Sequence, residues 1–218
     1  TDGKNHTKES QGIDGEINLD EWIKIFSEKG INLTFGGSFV SKFEKSTEDI
    51  YFILFPNDTL ISRTGTIPAS KIPQNVGICA YRMNFGYKGF RLEAEYASKI
   101  NDPNNSNDYI YKKGEALFTT LSYSTKGFGI SGSFIRADNM DFRSQRSIST
   151  NSLMSINNIP AINRQYSYQL LGNYSYSSQP NDQIGFQGQI NYRIAKGTKL
   201  GGKYGTDLTF NYSRFHSI

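Results

Sequence analysis

Cysteine is almost missing from this 218-residue chain: Cys79 stands alone, which excludes an internal disulfide framework and any cysteine-rich metal site and leaves a small hydrophobe. Histidine is nearly as scarce. His6 and His216, in terminal segments that read as loops, are the whole supply, and neither falls in a GxSxG or HExxH pattern. A hydrolase that activates its nucleophile or its water through an imidazole therefore has nothing to build on. The reading is non-enzymatic, with no catalytic residue, no cofactor site and no metal site assigned. No apolar run approaches the roughly 18 residues of a spanning helix; the longest is Ile50 to Phe55. A basic stripe is lacking too, because 24 lysines and arginines are scattered among 20 acids for a net charge of +4, which argues against nucleic acid as a partner. The opening TDGKNHTKESQGIDGE is polar and has no signal-peptide character.

What is present is alternation. In Gln183 to Ile194, QIGFQGQINYRI, every second residue from Ile184 is apolar or small, and the residues between are mostly polar. A period of two is a strand with two unlike faces. The pattern lasts about twice as long as an ordinary soluble strand, near the roughly 9–11 residues that a tilted strand needs to cross a bilayer. With 14 tyrosines, 15 phenylalanines and 21 glycines in a chain that is polar on average, the composition fits a barrel whose wet interior takes alternate positions.

The same signature recurs along the chain. Residues 1–14 read as a polar loop and Glu16 to Leu19 as the end of a strand. Asp20 to Lys29 follows as a helical turn with Asp20 at its N-cap, Gly30 at its end, and Trp22, Ile23 and Phe26 on one face. Ile31 to Glu44 alternates clearly. Residues 45–75, with Pro56, Pro68 and Pro73, form a long loop that carries its own hairpin around Asn57-Asp58. Val76 to Phe85 and Lys88 to Lys99 make a hairpin joined at Gly86-Tyr87. After the polar loop 100–113 comes a second hairpin, Glu115 to Ser124 and Phe128 to Arg136. Residues 137–164 are a second long, Ser- and Asn-rich loop, and Gln165 to Tyr176, Gln183 to Ile194 and Thr206 to Phe215 are the last strands. About nine strands result, with connections that mostly alternate long and short, as in outer-membrane barrels. An odd count points to part of a larger barrel or to a further strand within 45–75.

Three suggestive motifs lose to plainer readings. Gly197 to Tyr204 nearly spells a phosphate loop, but Tyr204 stands where Ser or Thr should hold magnesium, and strands flank it on both sides. Glu93 and Glu95 lie two apart on one strand, roughly 7 Å from each other. With Arg82 and Arg91 nearby, an interior charge lattice accounts for them better than a glycosidase pair does. The oxygen-rich Asp102 to Asp108 lacks the spacing of a calcium loop and reads as a solvated turn.

Four stretches carry a family likeness: KIPQNVGICAYRMNFGYKGF, LSYSTKGFGISGSFIRADNMDFRS, NNIPAINRQYSY and KGTKLGGKYGTDLTFNYS. In order and over roughly residues 15–215 the chain resembles an uncharacterised family of Bacteroidetes outer-membrane β-barrel proteins. The likeness is to an internal portion of a longer family sequence. It implies a compartment, a fold and a phylum, and no catalytic residue. Because that phylum assembles type IX secretion and gliding machinery at its outer membrane, a barrel attached to such machinery is the functional expectation.

The sequence therefore predicts one all-β domain over residues 1–218: a transmembrane, antiparallel, up-and-down β-barrel of the Gram-negative outer membrane, incomplete as it stands, with long loops at 45–75 and 137–164. Ile184, Phe186, Ile190, Tyr192, Leu208 and Phe210 should face lipid. Arg82, Arg91, Glu93, Glu95, Arg136 and Arg193 should face the lumen. Trp22, Phe26, Tyr51 and Ile53 are candidate contacts for protein partners in the envelope, since their segments hold more apolar surface than free loops expose. The expected role is a structural or docking component of an envelope assembly. A passive pore for small solutes and a secreted β-sandwich binding module are the alternatives.

Overall fold

The computed structural model describes residues 9–45, 50–54, 63–67, 72–107, 109–146, 155–162 and 178–218, with backbone alone for 50–54 and 63–67. Ten strands lie in these segments: β1 (Glu9–Asn18), β2 (Ile31–Phe43), β3 (Ile50–Leu54), β4 (Arg63–Ile67), β5 (Asn75–Tyr87), β6 (Phe90–Lys99), β7 (Gly114–Thr125), β8 (Phe128–Asp138), β9 (Gln183–Ile194) and β10 (Thr206–His216). Eight of them form one sheet in the order β1-β2-β5-β6-β7-β8-β9-β10, and every neighbouring pair is antiparallel. This is an all-β, up-and-down sheet. Its edges β1 and β10 do not pair with each other, so the described sheet is open and not closed into a barrel. No helix among the described residues is long and apolar enough to cross a membrane.

The hairpin expected within 45–75 is present as β3 and β4, which pair only with each other. Three sequence expectations change. The segment read as a loop to residue 14 is strand from Glu9 onward, because Glu9 to Asn18 pairs residue for residue with Phe43 to Thr34; its two apolar side chains, Ile13 and Ile17, are too few to announce alternation. The first tight turn falls at Lys88-Gly89 and not at Gly86-Tyr87, since both residues have positive φ, 44° and 88°, as a two-residue type I′ hairpin requires. The strand read at Gln165 to Tyr176 lies outside the described residues, and β8 pairs directly with β9 across the 139–182 connection.

Up-and-down order sends the connections to two ends. One end holds 19–30, 88–89, 126–127 and 195–205, here termed the short-connection end; the other holds 44–74, 100–113 and 139–182, the long-connection end. The helical turn at 19–30 is two pieces, α1 (Leu19–Trp22) and α2 (Lys24–Lys29), broken at Ile23, whose ψ of 98° is extended. Asp20 does not cap α1. Its carboxylate instead accepts from the Leu33 N–H at 3.3 Å, while Gly30 ends α2 in the left-handed region.

Alternation and register divide the sheet into two faces. One carries Phe35, Phe39, Tyr81, Tyr96, Leu121, Ile130, Phe186 and Phe210; the other carries Asp14, Ser38, Arg82, Glu95, Ser133, Gln187 and Asn211. The core lies on the second, polar face at the long-connection end. There Val76 and Ile78 pack with Met140 and Phe142, flanked by Val40, Ala97, Ala116, Ile156 and Ile159, because residues 139–146 and 155–162 fold back over the strands.

Candidate functional site

The apolar face is exposed along the sheet. Ile190, Tyr192, Leu208 and Phe210 all lie open to surroundings, Phe210 to 65%, and Phe186 does so beside Tyr212 with ring centroids 5.8 Å apart. Ile184 continues the row on β9, half-buried, opposite Arg136 and His216. His216 is thus on strand β10 and not in a loop; His6 lies outside the described residues.

On the polar face the charges pair across and along strands. Arg82 lies over Gly36, where an added Cβ would meet the guanidinium at 3.0 Å, and so reaches Asp14 at 2.7 Å and the Ser38 hydroxyl at 2.6 Å. Arg91 sits 3.8 Å from Glu93, and Arg193 sits 3.6 Å from Asp207. Glu95 stands opposite Arg82 in the register. Neutral groups fill the remaining rows: Thr120 with Ser133 at 2.9 Å, Thr209 donating to Asn191 at 3.0 Å and Gln189 donating to Asn191 at 3.2 Å. Arg136 departs from the expected face. Its partners in the register are Leu117 and Ile184, so it belongs to the apolar face, near Glu115 at 3.4 Å, while its neighbours Ile135 and Ala137 point to the polar side and are buried. The physical reason is the cover. Where the long connection packs on the polar face, that face needs apolar residues, and the alternation inverts.

Under that cover is a buried ionic cluster. The Lys42 ammonium, 1% exposed, lies 2.8 Å from the Asp102 carboxylate, which is 0% exposed, and donates to the Arg143 carbonyl at 2.7 Å. Arg146 approaches Asp102 at 3.7 Å, donates to the Pro73 carbonyl at 2.6 Å and receives the Glu44 carboxylate at its backbone N–H. Lys99 donates to the Asp141 carbonyl at 2.5 Å, and the Asp141 carboxylate accepts from Arg143 at 2.5 Å and from the Ser106 hydroxyl. Asn107 ties the Asp102 carbonyl to the Asn139 side chain. Burial pushes the Tyr109 phenol up, against the opposing pull of Arg146. Asp102 is therefore a buried anchor and not part of a solvated turn. The signal missed in sequence is the pair of basic residues at strand ends, Lys42 and Lys99, facing a polar loop that also contains Met140 and Phe142.

An apolar pocket of about 230 Å³ lies on the same polar face, lined by Ala80, Phe118, Ile135, Phe142, Ile156 and Pro160 among others. No group of three or more His, Cys, Asp or Glu side chains suited to a metal occurs among the described residues. Residues 197–204 close on themselves, Gly202 N–H to the Thr198 carbonyl and Gly197 N–H to the Gly202 carbonyl, between two strands. That is a tight loop and offers no helix N-terminus to a phosphate.

Of the candidate partner contacts, Trp22 stands 76% exposed at the short-connection end, and Phe26 is half-buried there. Tyr51 and Ile53 lie on β3, opposite Thr66 and Thr64, with side chains outside the described residues. The two pairs belong to different connections, 19–30 and 44–74, which leave the sheet at opposite ends.

Taken together, these features define a class: an antiparallel up-and-down sheet with an exposed apolar face and a paired polar face that is covered at one end by its own connections. The chain belongs to a protein family of unknown function, DUF6029, which matches residues 3–218. No curated protein and no solved structure matches it.

Proposed function

We propose that this chain spans the bacterial outer membrane as part of a transmembrane β-barrel and works, without catalysing a reaction, as a structural or docking component of an envelope assembly. The apolar face carries this reading. A β-sandwich would bury its apolar face, whereas here that face is open along the sheet and the buried core lies on the polar face at the long-connection end. Strands of 10 to 13 residues fit the length a tilted crossing needs. A sheet in lipid tolerates no open edge, so β1 and β10 must pair across a closure or with further strands. The family resemblance supports the compartment, the phylum and an association with type IX secretion or gliding machinery. The buried cluster at the long-connection end supports docking over a passive pore, because it occupies the polar side with paired charges.

Heat-modifiable gel mobility after reconstitution tests the spanning reading: a compact band that shifts on boiling is expected, and a monomer soluble without detergent overturns it. Ile190→Arg, near the middle of β9, should cost about 2–4 kcal/mol of stability in a bilayer. Crosslinking in intact cells from Trp22 should recover a reproducible envelope neighbour; a large, stable single-channel conductance with no neighbour would favour the pore.

A further inference from the structure

Three successive connections at the short-connection end, 88–89, 126–127 and 195–205, contain five lysines, Lys88, Lys126, Lys196, Lys199 and Lys203, and no acid. All five are exposed, and none lies within ion-pair distance of a carboxylate among the described residues. The fourth connection at the same end, 19–30, is different. It mixes Lys24 and Lys29 with Asp20, Glu21 and Glu28.

Immediately beside the lysine turns, the apolar face ends in aromatic side chains. Tyr87 faces Phe90, Phe90 faces Tyr123 with ring centroids 4.5 Å apart, and Phe128 faces Tyr192 in the register. Lys88 and Lys203 lie against the rings of Tyr87 and Tyr204 at 5.0 and 5.4 Å, and Leu200 and Tyr204 stand 77% and 78% exposed between the lysines. Aromatic rings at a membrane–water boundary with cationic ammoniums just outside them is the arrangement that suits headgroups carrying a phosphate. An acidic protein surface would have use for the lysines but none for the aromatic band that continues into the open apolar face.

We infer that this end of the sheet is a docking surface for anionic phospholipid headgroups, with the five lysines of 88–89, 126–127 and 195–205 contacting phosphates of the leaflet that the short connections face. This rests on the spanning reading and adds to it an orientation and a lipid class. Short connections of bacterial barrels face the periplasmic side, whose leaflet is phospholipid.

The single tryptophan makes the test direct. Leu200→Trp with Trp22→Phe moves the one indole into the lysine loop, and the parent protein keeps it at Trp22 beside the acids. Both are reconstituted in mixed phosphatidylcholine and phosphatidylglycerol vesicles in which one lipid or the other carries brominated chains. Quenching of the moved tryptophan should report local enrichment of phosphatidylglycerol on the order of twofold to fivefold, with little enrichment at Trp22. High salt and the added Lys196→Gln/Lys199→Gln/Lys203→Gln changes should abolish the difference. Should that variant fail to fold, Lys88→Gln/Lys126→Gln should lower the enrichment by a smaller factor. Equal quenching from the two lipids in a protein that shows the heat-modifiable band overturns the headgroup surface and leaves the spanning reading standing. Enrichment without a heat-modifiable band overturns spanning and keeps the surface. Failure to bind either vesicle ends both.

Discussion

At the long-connection end Lys42 is buried with its ammonium 2.8 Å from Asp102, whereas at the other end Lys199 and Lys203 stand in the open, with no carboxylate among the described residues in ion-pair distance. The same residue type thus serves opposite physical ends on one sheet. Burying Lys42 costs desolvation that only a close carboxylate and a carbonyl can offset, so the sequence supplies Asp102 and the Arg143 backbone from two different connections. The 88–89 and 126–127 turns are two residues each, and 195–205 closes on itself through backbone hydrogen bonds, so none of the three covers the strands. Their charges remain available to whatever lies beyond the turn.

If that contrast is right, the ends should respond differently to charge removal. Asp102→Ala leaves Lys42 and Arg146 buried without their shared counter-ion and should cost about 3–5 kcal/mol, read as a fall in the urea midpoint of the reconstituted protein and as faster proteolysis in 100–113 and 139–146. Phe142→Ala removes the ring that packs on Val76 and Ile78 and lies 5.0 Å from the Lys42 ammonium; it should cost about 3 kcal/mol in the same titration. Lys42→Met with Asp102→Leu tests whether the ion pair or the bulk matters. Replacing a buried pair by apolar groups is often neutral, so the double variant should recover about half or more of the Asp102→Ala loss, the remainder reflecting Arg146, which still has Pro73 and Glu44.

The two ends also differ in how far the sequence discloses them. Strands β2 and β5 to β10 are legible because apolar residues recur at every second position through most of their 10 to 13 residues. β1 is not, having only Ile13 and Ile17 to mark its face. The long-connection cluster was invisible for another reason: Lys42 bonds to partners 60 and 101 residues away, and no local pattern records such a pairing. The same cover explains Arg136. Alternation correctly separates Ile135 from Arg136, but which of the two faces polar surroundings depends on a loop that packs there, and only the tertiary structure shows it.

The smallest predicted effect is the most discriminating. Lys199→Gln should leave the urea midpoint within about 0.5 kcal/mol of the parent, as expected of an exposed side chain without a partner. In the same protein it should lower the preference for anionic lipid. A stability loss comparable to that of Asp102→Ala would mean that Lys199 has a buried partner after all and that the two ends are built alike. A silent substitution in stability combined with a measurable change in lipid preference separates what holds the sheet together from what it meets outside. The reason lies in dielectric: a charge attraction in water is worth about a twentieth of its strength in a dry interior. An exposed lysine therefore contributes little to folding and yet adds to binding when several neighbours act on one charged surface together.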